Sequence, residues 1–250
     1  MDLDDAVDEL IKKNAKQATD DELVSTIDDS IFFRRNSVNL VIGRRSSGKT
    51  HTVLREIIKC LMLAKTNKDV PPYTQVWYVS DKQSDDTVEK LRPLIEKYVQ
   101  FSWIETNDAM QLFKALELGK AQINEDGFAG CLNAEHLPRG VIPHTFVLFD
   151  DAIGQFSRTT ELARKLYQTR QSRITAFLML QDVNGLNASM KSNVNSLVLF
   201  GGFPKHKLDV LLYQMPPIED FTFEDYAMLS PRDCIIADFE DGSLDTRIRE

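Results

Sequence analysis

Residues 38–62 read VNLVIGRRSSGKTHTVLREIIKCLM, and the fold turns on this stretch. Val38 to Ile42 form a short apolar run of strand length. Gly43-Arg44-Arg45-Ser46-Ser47-Gly48-Lys49-Thr50 then matches the pattern GxxxxGK[ST] in full. Val53, Leu54, Ile57, Ile58, Leu61 and Met62 follow at helical spacing. A strand, a glycine loop and a helix in this order form a cradle for phosphate. The glycines permit backbone conformations that turn successive N–H groups inward. The helix N-terminus adds its partial positive charge. Lys49 is placed to reach the β- and γ-phosphates of a nucleotide, and the Thr50 hydroxyl to ligate Mg²⁺. The alternative is a Gly/Ser-rich turn without a ligand, and the strand–loop–helix setting weighs against it.

A second apolar strand, Thr145-Phe146-Val147-Leu148-Phe149, runs into Asp150-Asp151. This is a Walker B arrangement. Asp150 would hold the hydration shell of the Mg²⁺. Asp151 would orient the attacking water or accept its proton. A carboxylate at the C-terminal end of a parallel strand faces the crevice where ligands bind. An N-cap or turn pair is the other reading of two adjacent acids. Asp151-Ala152-Ile153-Gly154 also reads as DxxG, a GTPase-like element. The guanine-reading partner NKxD is missing. Asn67-Lys68-Asp69-Val70 lacks its final Asp and comes too early, so ATP is favoured over GTP. A third strand, 174–180, ends in Gln181. A neutral amide there could orient water or sense the γ-phosphate. Taken alone, it could equally be an ordinary polar strand end.

Further strands are expected at 75–80, 101–104, 196–200 and 234–239, the last paired in a hairpin through Asp241-Gly242. Helices are expected at 86–98, 108–123 and 159–170, with a Gly-, Pro- and His-containing loop over 127–144. Alternating strands and helices predict an α/β fold: a mainly parallel central sheet with helices on both faces. Unbroken apolar strands fit burial on both sides. The expected organisation is one domain over 31–250, preceded by an acidic helical extension over 1–30 in which Val7, Leu10 and Ile11 share a face.

Of the 250 residues, 42% are hydrophobic and 27% charged, which excludes wholesale disorder, a collagen-like repeat and a membrane bundle. Cys60, Cys131 and Cys234 are far apart and form no CxxC pair, so neither a zinc site nor a disulfide framework is expected. A reduced, intracellular setting fits this cysteine usage. The first ten residues carry five acids and no base, unlike a secretory or mitochondrial leader. The net charge of −8 is unevenly spread: residues 1–30 and 217–250 each carry −7, and the segment between them carries +6. An acidic whole can therefore present a basic working surface, although the acidic ends could also simply be solvated.

Three stretches together resemble the FtsK–HerA superfamily of DNA-pumping ATPases, and more narrowly its poxvirus-type viral genome-packaging members. They are GRRSSGKT at 43–50, FVLFDDA at 146–152 and RQSRITAFLMLQDVNGLNASMKSNVNSLVLFGG at 170–202. The last stretch carries a basic segment, a strand, a Gln and then Lys191-Ser192-Asn193 before another strand. The family often has Asp-Glu where this chain has Asp150-Asp151, and Arg where it has Lys191.

The resemblance implies a P-loop NTPase fold of the RecA/FtsK kind, with ATP and Mg²⁺ as substrate and cofactor and double-stranded DNA as partner. It also implies a homo-oligomeric ring, pentameric or hexameric, with a capsid or portal protein as a further partner and the host-cell interior as location. Ring ATPases of this kind supply an arginine to the neighbour's γ-phosphate. Arg139, Arg158, Arg164, Arg170 and Arg173 are candidates, with Arg170 and Arg173 favoured by their place before the strand that leads to Gln181. Arg34, Arg35, Arg44, Arg45, Lys191, Lys205 and Lys207 are candidate contacts to a DNA backbone. Two other classes stay open on the residues: a small-molecule kinase, for which no Arg-rich lid is visible, and a nucleotide-dependent switch or scaffold without turnover.

Overall fold

The computed structural model describes residues 33–66, 73–80, 86–98, 102–112, 114, 144–152, 166, 173–182, 186, 188–213, 215–218 and 221–247. The acidic extension over 1–30, the loop expected at 127–144 up to residue 143, and most of the helix expected at 159–170 lie outside them.

Among the described residues eight strands form one sheet: β1 (Val38–Ile42), β2 (Tyr73–Ser80), β3 (Ser102–Thr106), β4 (His144–Asp150), β5 (Ile174–Leu180), β6 (Ser196–Phe200), β7 (Cys234–Asp238) and β8 (Leu244–Arg247). Their order is β3-β2-β4-β5-β1-β6-β7-β8. The first six run parallel, while β7 and β8 add an antiparallel edge. The hairpin expected around Gly242 is the β7–β8 connection, and Gly242 there takes φ +74°. The helices given by the described residues are α1 (Lys49–Thr66), α2 (Asp86–Tyr98), α3 (Ala188–Lys191), α4 (Lys205–Leu212) and α5 (Phe223–Ala227). The 86–98 helix has the bounds the sequence predicts. The strand expected at 101–104 sits slightly later.

Strand side chains alternate between the two faces of the sheet, and so does the core. Val41, Val76, Tyr78, Phe146, Leu148, Phe177, Met179 and Val198 pack with Val53, Leu54, Ile57 and Ile58 of α1 and with Val88, Leu91, Leu94 and Ile95 of α2. Leu40, Ile42, Val79, Val147, Phe149, Leu178 and Leu199 pack on the other face with Ala109, Leu112, Met190, Leu208, Leu211 and Tyr226. Helices therefore cover both faces, which is why β1, β4 and β5 are mostly apolar on both of their sides.

Asn39 is the exception inside β1. It is fully buried, donates to the carbonyls and hydroxyls around it (Ala176 O at 3.1 Å, Ser37 Oγ at 3.0 Å) and accepts from Ser196 Oγ at 2.6 Å. Its satisfied amide fixes the register of three adjacent strands. Glu56 on α1, 2% exposed, pairs with Lys59 at 2.9 Å and with Arg247 of β8 at 2.7 Å. This joins the helix behind the phosphate loop to the far edge of the sheet.

Candidate active site

Parallel strands carry β1, β4 and β5 to the same edge. Register sets Ile42 beside Leu180 and Asp150 beside Met179. The loop after β1, the acidic pair after β4 and Gln181 after β5 thus meet at the C-terminal ends of three adjacent strands. β5 lies between the strand of the phosphate loop and the strand of the acidic pair.

The 43–50 loop has the backbone that its sequence anticipates. Ser46 and Gly48 take φ +63° and +99°, the left-handed conformations that turn N–H groups into a concavity. Gly43 leaves no room for a side chain: a Cβ there would lie 2.4 Å from Ser47 Oγ and 2.8 Å from Phe200 Cβ. Its N–H donates to Leu180 O at 3.1 Å, which ties the loop to the end of β5. Lys49, only 7% exposed, donates from Nζ to Gly43 O at 2.9 Å and Arg44 O at 3.1 Å. Its charge is held against the loop that would receive phosphate.

Thr50 Oγ1 donates to Asp150 Oδ2 at 3.3 Å across 100 residues of chain. Asp150 belongs to the face of β4 that carries Phe146 and Leu148, so it points toward α1. Asp151 leaves the strand at φ +53°, and its N–H donates to Met179 O at 3.0 Å. A non-glycine residue in this conformation costs of order 1–3 kcal/mol, and Asp tolerates it better than most. The turn carries the second carboxylate to Gln181, whose Nε2 donates to Asp151 Oδ2.

These groups line a cavity of about 440 Å³, with Arg45, Ser46, Gly48, Lys49, Thr50, His51, Tyr78, Ser80, Thr87, Asp150, Asp151 and Gln181 in its wall. The size suits a nucleotide triphosphate tail. Mg²⁺ takes oxygen ligands, keeps several waters and is commonly held by one or two protein groups plus substrate phosphates. Thr50 and Asp150 are such a pair of hard oxygens. Among the described residues no group of three or more His, Cys, Asp or Glu could hold a metal unaided. The residues therefore fit a cation shared with phosphate.

Some sequence expectations move. Arg173 stands just before β5, at the end of the sheet opposite Gln181. Seven strand residues separate them, roughly 23 Å at the usual rise. It is therefore remote from the phosphate loop of its own subunit. There its charge acts on His144, whose pKa is lowered to about 4, by burial first and then by Arg35 and Arg173. Arg170, Arg139, Arg158 and Arg164 lie outside the described residues.

The DNA-contact candidates divide. Lys191 is 3% exposed, and burial lowers its pKa, so it is not a surface contact. Arg34 is paired with Asp238 and Asp241 at 2.8 Å each, Arg35 lies over the Tyr73 ring, and Lys207 is bound to Asp182 at 2.7 Å. Arg44, Arg45 and Lys205 are exposed. Tyr78, Ser80, Thr87 and His51 are site residues that sequence reasoning missed. Tyr78 and Ser80 lie at the C-terminal end of β2, and the pairing of β2 with β4 brings them to the site.

The fold is shared with solved ATPases. It superimposes on the DNA-packaging ATPase B204 of Sulfolobus turreted icosahedral virus with a TM-score of 0.58 at 13% identity, over 86% of this chain and 98% of that one. B204 of Sulfolobus turreted icosahedral virus 2, in complex with ATP-gammaS, gives 0.57 at 15% identity over 85% and 97%. EssC (ATPases 2 and 3) from Geobacillus thermodenitrificans gives 0.51 at 13% identity, over 84% of this chain and 39% of that one. The chain shares with these ATPases a mixed α/β fold built on a mainly parallel central sheet. No protein-family model matches the chain, and no characterised protein matches it in sequence. No helix among the described residues is long and apolar enough to cross a membrane.

Proposed function

We propose that this protein is an Mg²⁺-dependent ATPase that translocates double-stranded DNA and packages a viral genome, working as a homo-oligomeric ring inside the host cell. The observation that carries the reading is the meeting of Thr50 with Asp150, and of Asp151 with Gln181, in one phosphate-sized cavity. Residues 31–250 form the ATPase unit in this reading, and 1–30 an acidic extension. The poxvirus-type subgroup rests on the 170–202 stretch, and the packaging role is supported by the fold shared with B204.

In the proposed mechanism the loop N–H groups and Lys49 hold the β- and γ-phosphates. Mg²⁺ would neutralise charge building on the phosphate oxygens, held by Thr50 and, through water, by Asp150. Gln181 orients a water in line with the bond between the γ-phosphorus and the bridging oxygen. Asp151 takes the water's proton as the new P–O bond forms and the bond to ADP breaks. Gln181 contacts both the water and the base, so phosphate loss is felt at β5 and, through Asp182 and Lys207, at α4. An arginine of the neighbouring subunit, Arg170 or Arg173, completes the charge around the γ-phosphate. Arg44, Arg45 and Lys205 supply backbone contacts to DNA without reading bases. A capsid or portal protein is the further partner.

Displacement of a triplex-forming oligonucleotide from long linear duplex tests the motor. ATP is expected to drive displacement, and a nonhydrolysable analogue is not. Robust hydrolysis without displacement under assembled conditions would contradict the motor, and nucleotide binding without hydrolysis would favour the switch.

A further inference from the structure

We propose that Tyr78 is a positioning residue for the cation site: its phenol fixes Asp150 in the orientation that receives the hydrated Mg²⁺. This rests on the reading of Thr50 and Asp150 given above. Tyr78 lies on β2 opposite Leu148, and Ser80 lies opposite Asp150. Both β2 side chains are on the α1 face of the sheet, as Asp150 is. The Tyr78 side chain runs along the strand, and its hydroxyl donates to Asp150 Oδ2 at 2.6 Å. That is a short bond to a carboxylate, of the stronger, charge-assisted kind.

The ring is itself held. Tyr78 is 3% exposed and stacks on Trp103 of β3 at 5.7 Å between centroids. Trp103 donates from Nε1 to Glu105 at 2.9 Å, and the Arg92 guanidinium lies over its ring at 6.0 Å. Arg92 and Glu105 are joined at 2.8 Å. A chain of contacts thus runs from α2 and β3 to one oxygen of Asp150.

The chemical consequence follows from lone-pair accounting. A carboxylate offers about four acceptor sites over two oxygens. Tyr78 and Thr50 both address Oδ2, so two of these sites hold the carboxylate in a set orientation at the cavity. Without the phenol, Asp150 loses the shorter of the two bonds to Oδ2, and the preset geometry of the cation site is weakened. Groups that orient a ligating side chain typically contribute about 10–100-fold in metal affinity or activity.

The test is Tyr78→Phe, which keeps the ring and its stacking and removes one oxygen. Binding of a fluorescent, nonhydrolysable ATP analogue is measured in EDTA and across a Mg²⁺ titration, beside wild type and Asp150→Asn, with thermal melting as a fold control. Tyr78→Phe is expected to remain folded by melting and to need roughly tenfold more Mg²⁺ than wild type for half-maximal enhancement of binding over its own value in EDTA. An unchanged Mg²⁺ midpoint in Tyr78→Phe, with wild type responding and Asp150→Asn not, overturns the role of Tyr78 alone. Equal weakening with and without Mg²⁺ also overturns it, since the phenol would then serve the loop or the fold. Wild-type binding indifferent to Mg²⁺ overturns both this role and the cation site on which it rests.

Discussion

Lys49→Ala is expected to lower kcat for ATP hydrolysis by at least about 10²–10³-fold, the loss seen when one group that stabilises transition-state charge is removed. Among the described residues Lys49 is the only lysine in the cavity wall, and it brings a full charge where a backbone N–H brings a dipole. A 10³-fold loss corresponds to about 4 kcal/mol of transition-state stabilisation. The side chain also donates to Gly43 O and Arg44 O, so its removal leaves two loop carbonyls without that donor. Thermal melting belongs beside the rate measurement for this reason. A folded Lys49→Ala protein that hydrolyses ATP at the wild-type rate would refute the assignment of the phosphate loop.

Asp151→Asn separates binding from chemistry. The substitution leaves Thr50, Asp150 and the loop untouched. Asn tolerates the φ of +53° that residue 151 requires, and its side-chain oxygen can still accept from Gln181. An amide cannot take a proton from water at neutral pH. Nucleotide affinity is expected to stay at the wild-type level while kcat falls about 10²–10⁴-fold, the usual contribution of a positioned base. Equilibrium binding and single-turnover hydrolysis measured on one preparation check this. Undiminished turnover would move the base to another group.

The fold and the central site were legible for a shared reason. A phosphate loop is local: its glycines, its lysine and its helix start are adjacent in the chain, and its backbone follows from them. The acidic pair and Gln181 were legible because apolar strands announce where they end. Strand order was not legible. Placing β5 between β1 and β4 depends on packing between distant segments. The same holds for Tyr78. Its sequence neighbours mark it as a strand aromatic, and only the β2–β4 register brings its hydroxyl to Asp150.

Charge was legible as a sum and misleading in its parts. The basic middle segment exists, yet Lys191 is buried, and Arg34 and Lys207 are consumed by carboxylates distant in sequence. Arg173 and Gln181 flank the seven residues of β5, which reads as proximity in the sequence. An extended strand turns those residues into separation.

The most direct measurement of the central claim is the steady-state rate of ATP hydrolysis by the assembled protein with and without long double-stranded DNA, beside Lys49→Ala. The account predicts hydrolysis that DNA stimulates and that disappears in the variant. Lys49-dependent hydrolysis that is indifferent to DNA, in a preparation shown to be oligomeric, would contradict it.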